Sequence, residues 1–249
     1  MPVYTSEALI LRTYKLGESD RIVVFLTRDR GKKRGVAKGA RKAKSKFIGA
    51  LEPMTRAGVA YYEREQRELV RINYVELTRS PLSGATGDAL GHVGYFAELI
   101  DEWAPEAHAD ERLYRLGASV TDAIASGVPV DALARYFEYW ILRLQGVYPA
   151  IAGCPGCGES LGAGAVMPQR DDIFVCRACA PAGGSRVGVE ALRFLKGAGG
   201  VAPEALGDLP LPVNAARELE AVHRRLLALH LEKDLRSARV LREMRGPGW

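Results

Sequence analysis

The chain contains four cysteines, and all four fall into one pattern: Cys154-Pro155-Gly156-Cys157, eighteen residues, then Cys176-Arg177-Ala178-Cys179. Two CxxC turns at that separation can aim four thiolates at one point and close a tetrahedral cage around a single zinc ion. Pro155 and Gly156 suit a tight turn, and Gly153 and Gly158 permit unusual backbone angles beside it. Two disulfides or a CxxC redox pair are the competing uses of the same residues. Residues 1–27 hold no apolar stretch of signal-peptide length, and no run anywhere reaches a membrane span. The chain therefore reads as cytoplasmic, where thiols stay reduced and bind metal. Zinc held by four thiolates has no open position for water, and residues 153–181 contain no histidine, so the expected ion is structural. Glu159, Asp171 and Asp172 read as solvated surface acids.

The second chemically loaded feature is charge. Residues 1–80 carry 18 Lys and Arg against 9 Asp and Glu, residues 81–150 carry 4 against 10, and residues 151–249 carry 13 against 11. The basicity of a chain with formal net charge +5 thus sits at its N-terminal end. It is concentrated further in residues 28–46, with ten cations and one anion, interrupted by Gly31, Gly35 and Gly39. Like charges at that density repel unless a polyanion neutralises them. Glycines allow the main chain to approach phosphates, and lysines act as flexible point charges, so the stretch reads as a loop that contacts nucleic-acid backbone with little sequence preference. A solvated surface loop is the plainer reading of the same residues. The G-x-x-x-x-G-K-[ST] spacing of a nucleotide-binding loop is missing.

These residues need positioning elements. Short β-rich segments at 3–14, 21–27, 35–38, 55–63 and 69–77, with no helix of note between them, predict a small closed barrel over residues 1–80. An OB-fold, which binds nucleic acid with basic loops and aromatic platforms, fits; an SH3-like barrel fits the strand count almost as well. Tyr61, Tyr62 and Tyr74 could stack on bases or pack at strand spacing. After Pro81 the apolar period lengthens to that of helices. Phe96, Leu99, Ile100 and Trp103 form one stripe ending at Pro105, and Leu113, Leu116, Val120 and Ile124 form another ending at Gly127. A third helix is expected from an N-cap at Asp131 through Leu144, and further helices over 189–195 and 214–231, with 197–212 as a linker. The expected whole is an α+β multidomain protein: a five-stranded barrel over 1–80 and a mostly helical domain over 81–249 that carries the zinc knuckle at about 150–182.

No enzyme signature emerges. His92, His108, His223 and His230 sit in helical patterns or loops without a nucleophile motif, and pairs such as Asp101-Glu102 define no acid–base constellation. The residues describe a binder. An RNA-binding or ribosome-associated zinc protein and a zinc-supported nuclease are the alternatives that barrel, loop and knuckle permit.

Several motifs carry a more specific likeness: Glu7-Ala-Leu-Ile-Leu-Arg-Thr13, Gly17-Glu-Ser-Asp-Arg21, Phe25-Leu-Thr-Arg28, Gly35-Val-Ala-Lys-Gly-Ala-Arg41 and His230-Leu-Glu-Lys-Asp-Leu-Arg-Ser237. In this order, and with the double CxxC between the last two, the chain resembles the RecO family of bacterial recombination mediators. The resemblance implies an N-terminal OB-fold, a mostly helical domain and one structural zinc. It also implies binding of single- and double-stranded DNA, annealing of complementary strands, association with RecR, and loading of RecA onto DNA coated by single-strand-binding protein. DNA contact then falls to Lys32, Lys33, Arg34, Lys38, Arg41, Lys42, Lys44 and Lys46. Reception of the acidic tail of single-strand-binding protein, in a helical region whose residues 81–150 are net acidic, would fall to Arg224, Arg225, Arg236 and Arg239.

Overall fold

The computed structural model describes residues 2–64, 68–84, 87–106 and 108–245. Five strands open the chain: β1 (Val3–Leu16), β2 (Asp20–Thr27), β3 (Gly31–Ala37), β4 (Arg56–Tyr62) and β5 (Val70–Arg79). They close into a barrel in the order β1-β2-β3-β5-β4, antiparallel throughout except for β3 beside β5. This is the OB arrangement, and the parallel β3–β5 closure decides against the SH3-like alternative.

Alternation explains the barrel interior. Ala8, Ile10, Val23, Phe25, Val59, Tyr61 and Ile72 point inward, and Phe47, Ala50 and Leu51 from the β3–β4 connection plug the same core. Tyr61 is fully buried, so it packs and does not stack on bases; Tyr74 is half-exposed. On the other face of β1, Leu9 and Leu11 are also buried. They are covered by α1 (Gly87–Trp103) and α2 (Glu111–Ala125), and a side chain at Gly117 would meet Leu9 at 2.5 Å and Ile100 at 2.8 Å. A two-faced apolar run in a barrel strand is the mark of a strand covered on both sides. Asp110 caps α2 by accepting the Leu113 N–H at 2.9 Å.

By compactness the described chain divides into a unit of residues 2–127 with 235–245 and a unit of residues 128–234. The change from strands to helices expected after residue 80 is present, but the first two helices pack with the barrel, because Leu9 and Leu11 give them an apolar face to cover. A further helix, α6 (Arg236–Arg245), which the sequence pattern did not suggest, packs against α1; Glu98 on α1 caps it, accepting the Ser237 N–H at 2.8 Å and the Arg236 N–H at 3.2 Å.

The second unit contains α3 (Val130–Leu144), the short antiparallel strands β6 (Ala165–Met167) and β7 (Ser185–Val187), α4 (Val189–Ala198) and α5 (Val213–Leu231). The boundary of α3 differs from expectation: Pro129 stands at the N-cap, and Asp131 lies inside the first turn, where a carboxylate still complements the helix dipole. The expected linker 197–212 contains a 3-10 turn, Pro203–Asp208, held by buried Leu206. Nearly every face of α3 is buried, so it is the central helix of this unit. No helix among the described residues is long and apolar enough to cross a membrane.

Candidate metal centre and candidate nucleic-acid interface

Two reversing turns build the cysteine site. In the first, the Gly158 N–H donates to the Cys154 carbonyl at 2.8 Å and the Cys154 N–H donates to Glu159 at 2.8 Å. Gly158 supplies the left-handed angle (φ +76°) that the first turn requires, whereas Gly153 has no positive φ and serves a bridge to Ser160. In the second, the Cys179 N–H returns to the Cys176 carbonyl at 3.2 Å. Val166 of β6 exchanges two backbone hydrogen bonds with Val175, which fixes the second CxxC against the β6–β7 ribbon.

All four sulfurs lie within 4.8 Å of one another, and Cys157 Sγ stands 3.6 Å from Cys176 Sγ. Thiolates at about 2.3 Å from one tetrahedral ion stand about 3.8 Å apart, whereas a disulfide needs about 2.05 Å. The cysteines are free, which disposes of the two-disulfide alternative. Backbone N–H donors, first that of Cys176 and then those of Gly156 and Cys157, hold the Cys154 thiol down to about 6, while the neighbouring sulfurs of Cys157, Cys176 and Cys154 push Cys179 up to about 12. Four thiolates this close repel unless a cation sits among them. The set can hold one metal ion, with no place left for water.

The basic stretch divides into two halves. In the first, every cation is paired. Arg28 meets Glu111 at 2.8 Å and Glu7 at 3.2 Å, and Arg30 meets Asp29 at 3.7 Å and lies 4.0 Å over the Tyr4 ring. Lys32 Nζ donates to the Asp101 carbonyl at 2.6 Å and reaches its carboxylate at 3.3 Å, Lys33 meets Glu63 at 2.7 Å, and Arg34 meets Glu106 at 3.2 Å. The side chain of Lys32 is only 10% exposed. Gly31 explains the approach: with φ +71°, it passes so near the α1–α2 connection that a side chain would stand 2.5 Å from the His108 carbonyl. Lys32, Lys33 and Arg34 belong to β3, and Arg28 and Arg30 to the turn before it, not to the single flexible loop that composition suggested; Lys32 ties β3 to Asp101 of α1.

In the second half, Lys38, Arg41, Lys42, Lys44 and Lys46 are exposed and make no salt bridge among the described residues. They occupy the β3–β4 connection. Arg41 donates to the Gly17 carbonyl at 2.9 Å, and Lys46 donates to the Asn73 carbonyl and lies 5.3 Å from the Phe47 ring. Arg28, Arg30 and Arg34 are exposed too, but each faces an acid, so among the described residues the exposed positive charge of 28–46 that no carboxylate pairs is a feature of 38–46.

The four arginines expected together are not brought together within one unit. Arg224 and Arg225 lie on α5, where Arg225 donates to the Asp171 carbonyl at 2.7 Å; Arg236 and Arg239 lie on α6, which packs on α1 in the unit that holds the barrel. What the sequence did not signal is a buried polar chain beneath the knuckle. Tyr148 donates to His223 Nε2 at 2.9 Å, His223 Nδ1–H donates to Glu138 at 2.9 Å, and Arg135 donates to the other Glu138 oxygen at 3.0 Å. Burial pushes His223 below its ordinary value despite the Glu138 carboxylate, so a neutral imidazole bridges a phenol and a carboxylate that Arg135 balances. Its members are enclosed by aromatic packing, with Tyr139 edge-on to Tyr148 at 4.8 Å, and the arrangement is structural.

The chain matches the family model for the recombination protein O N terminal over residues 1–81 and that for its C terminal over residues 85–239. It is 34% identical over 240 residues to the DNA repair protein RecO of Koribacter versatilis, covering 95% of this chain and 97% of that one. Likewise it is 32% identical over 240 residues to the DNA repair protein RecO of Geobacter metallireducens, covering 96% and 97%, and 33% identical over 255 residues to that of Desulforudis audaxviator, covering 98% of each. With a barrel of OB order, a helical remainder and four convergent cysteines in one continuous match, the chain belongs to the RecO family of DNA repair proteins.

Proposed function

We propose that this protein is a recombination mediator that binds single- and double-stranded DNA through its barrel, anneals complementary strands, and acts with RecR to load RecA onto DNA coated by single-strand-binding protein. The observation that carries the DNA part is the group of five exposed cations on residues 38–46 that make no salt bridge among the described residues. Neutralising phosphates on two strands lowers their repulsion and leaves base edges free to pair, so annealing needs no covalent catalysis and no enzyme active site. Lys38, Arg41, Lys42, Lys44 and Lys46 form the contacting set, with Arg34 at its margin. Lys32 and Lys33 are committed to Asp101 and Glu63 and act by holding β3.

Cys154, Cys157, Cys176 and Cys179 hold one structural zinc. A soft tetrahedral thiolate set favours that ion, which supplies a cross-link between two turns and no reaction chemistry. Arg224 and Arg225, on a different helix from Arg236 and Arg239, are the cations of the second unit that could meet the acidic tail of single-strand-binding protein. The reading places the protein in the cytoplasm, at the nucleoid.

Annealing of complementary oligonucleotides, naked and coated with single-strand-binding protein, tests the proposal with wild type and with a Lys38→Ala, Lys42→Ala, Lys44→Ala, Lys46→Ala variant. Loss of annealing in a folded variant is expected. If about five phosphates are contacted, log affinity for single strands should fall with log salt at a slope of roughly −3.5. A slope near zero, or equal competition by RNA of the same length, would turn the reading away from DNA.

A further inference from the structure

The β3–β4 connection has no helix or strand of its own in residues 38–46, and five mutually repelling cations would drive such a segment apart. It is nevertheless tied at both ends. At its far end Phe47 and Leu51 are buried in the barrel core. At its near end the tip of the β1–β2 hairpin grips it through three hydrogen bonds, and a fourth, inside the tip, orients the gripping carboxylate. The Gly39 N–H donates to Asp20 Oδ1 at 2.8 Å, and the Ser19 hydroxyl donates to the same oxygen at 3.0 Å. The Arg41 N–H donates to the Ser19 carbonyl at 2.9 Å, and its guanidinium donates to the Gly17 carbonyl at 2.9 Å. Gly39 sits at φ +70° and Gly17 at φ +58°, backbone angles that give both turns their direction.

An acid here is unexpected on charge alone. Asp20 stands beside Lys38 and Lys42, where its negative charge opposes any attraction of phosphate, and the Gly39 N–H with those cations stabilises it as a carboxylate. Its hydrogen bond to the connection supplies the compensating role. We propose that Asp20 is a positioning residue: its carboxylate clasps Gly39 so that Lys38, Arg41, Lys42 and Lys44 are presented as a preformed phosphate-binding edge. The inference rests on the reading of residues 38–46 as the nucleic-acid surface. Preorganisation of this kind raises affinity by reducing the ordering that binding would otherwise require.

The test compares binding of a single-stranded oligonucleotide by wild type, Asp20→Ala, Asp20→Asn and a Lys38→Ala, Lys42→Ala, Lys44→Ala variant, over a salt series. Both Asp20 substitutions remove the negative charge, but asparagine keeps an oxygen that accepts the Gly39 N–H. Asp20→Ala should weaken binding on the order of tenfold and flatten the salt slope, while Asp20→Asn should bind at least as tightly as wild type. Tighter binding by both variants would mean that Asp20 acts only as a charge, and would overturn the clasp. Should Asp20→Ala not fold, Gly39→Ala, strained at positive φ, takes its place with Gly39→Asn as the rescue, since asparagine tolerates that angle. Loss of binding in the lysine variant but not in Asp20→Ala or Gly39→Ala sinks the clasp alone. Wild-type affinity in the lysine variant sinks the DNA reading of the connection, and the clasp with it.

Discussion

The barrel encloses Ile10, Phe25, Val59 and Tyr61 within five strands whose backbone hydrogen bonds close on one another. Residues 153–187, by contrast, consist of turns and three-residue strands around a few buried side chains such as Phe174 and Met167. The first region has core and ladder enough to hold itself. The second resembles small domains that need a covalent or metallic cross-link, and its four sulfurs are placed to receive one. The same contrast holds for charge. Cations that lie on a strand, as Lys32 and Lys33 do, are absorbed into ion pairs that fix the fold, whereas those on a connection between strands, as Lys42 and Lys44 are, remain available to a partner.

Removing the metal breaks the comparison most sharply. Structural zinc sites are worth about 10–16 kcal/mol in small zinc-binding peptides, so Cys154→Ser with Cys179→Ser, or a strong chelator, should unfold the knuckle. Limited proteolysis should then cut within residues 153–187 and spare the barrel, and metal analysis should fall from one zinc per chain to none. A knuckle that resists protease without metal would contradict the contrast.

A smaller but still large loss is expected inside the second unit. Glu138→Ala leaves Arg135 as a buried charge without its 3.0 Å partner, and breaking a buried pair in this way costs about 3–5 kcal/mol. Denaturant unfolding should show a lower midpoint for this unit, with the barrel transition unmoved.

The pH dependence separates the units next. His223 is held below its ordinary value by burial, so below the unfolded pKa of about 6.5 the unfolded chain binds a proton that the folded one resists. Stability contributed by the neutral imidazole is full above about pH 6.5 and is lost as pH falls toward the folded value. Thermal melting from about pH 7.5 down to about pH 5 should destabilise the second unit, and His223→Gln should flatten that dependence from a lower starting stability. An unchanged slope would remove His223 as its source.

The smallest stability effect is reserved for the exposed cations. Lys42→Ala and Lys44→Ala should each alter stability by less than about 0.5 kcal/mol. Each should also reduce the magnitude of the salt slope for single-stranded DNA by about 0.7 for every phosphate no longer neutralised. Lys32→Ala should do the reverse, costing stability because the Asp101 carbonyl loses its 2.6 Å donor and the carboxylate keeps Arg12 but loses one of its two cations, and leaving the slope nearly unchanged. A salt slope as sensitive to Lys32 as to Lys42 would erase the distinction between strand and connection.

The cysteine site was legible because two CxxC turns carry their own geometry: local sequence sets each turn, and only the meeting of the two depends on the fold. The strands and most helices were likewise legible from period alone. The family motifs made sense only in place, where Asp20 proved to hold Gly39 and Gly31 to pass beneath the α1–α2 connection. Composition could not divide residues 28–46, because whether a lysine is free depends on where the chain puts the acids, and Asp101, Glu63 and Glu106 are distant in sequence. The Tyr148–His223–Glu138–Arg135 chain had no local signal for the same reason, since its partners come from α3, the segment after it and α5. Element types, the metal-ligand set and the excess of cations follow from residue type and short spacing, and so could be read before any fold was known. Which cations face solvent, which face an acid, and where α6 docks are set in three dimensions, because burial and ion pairing depend on distances that only the folded chain defines.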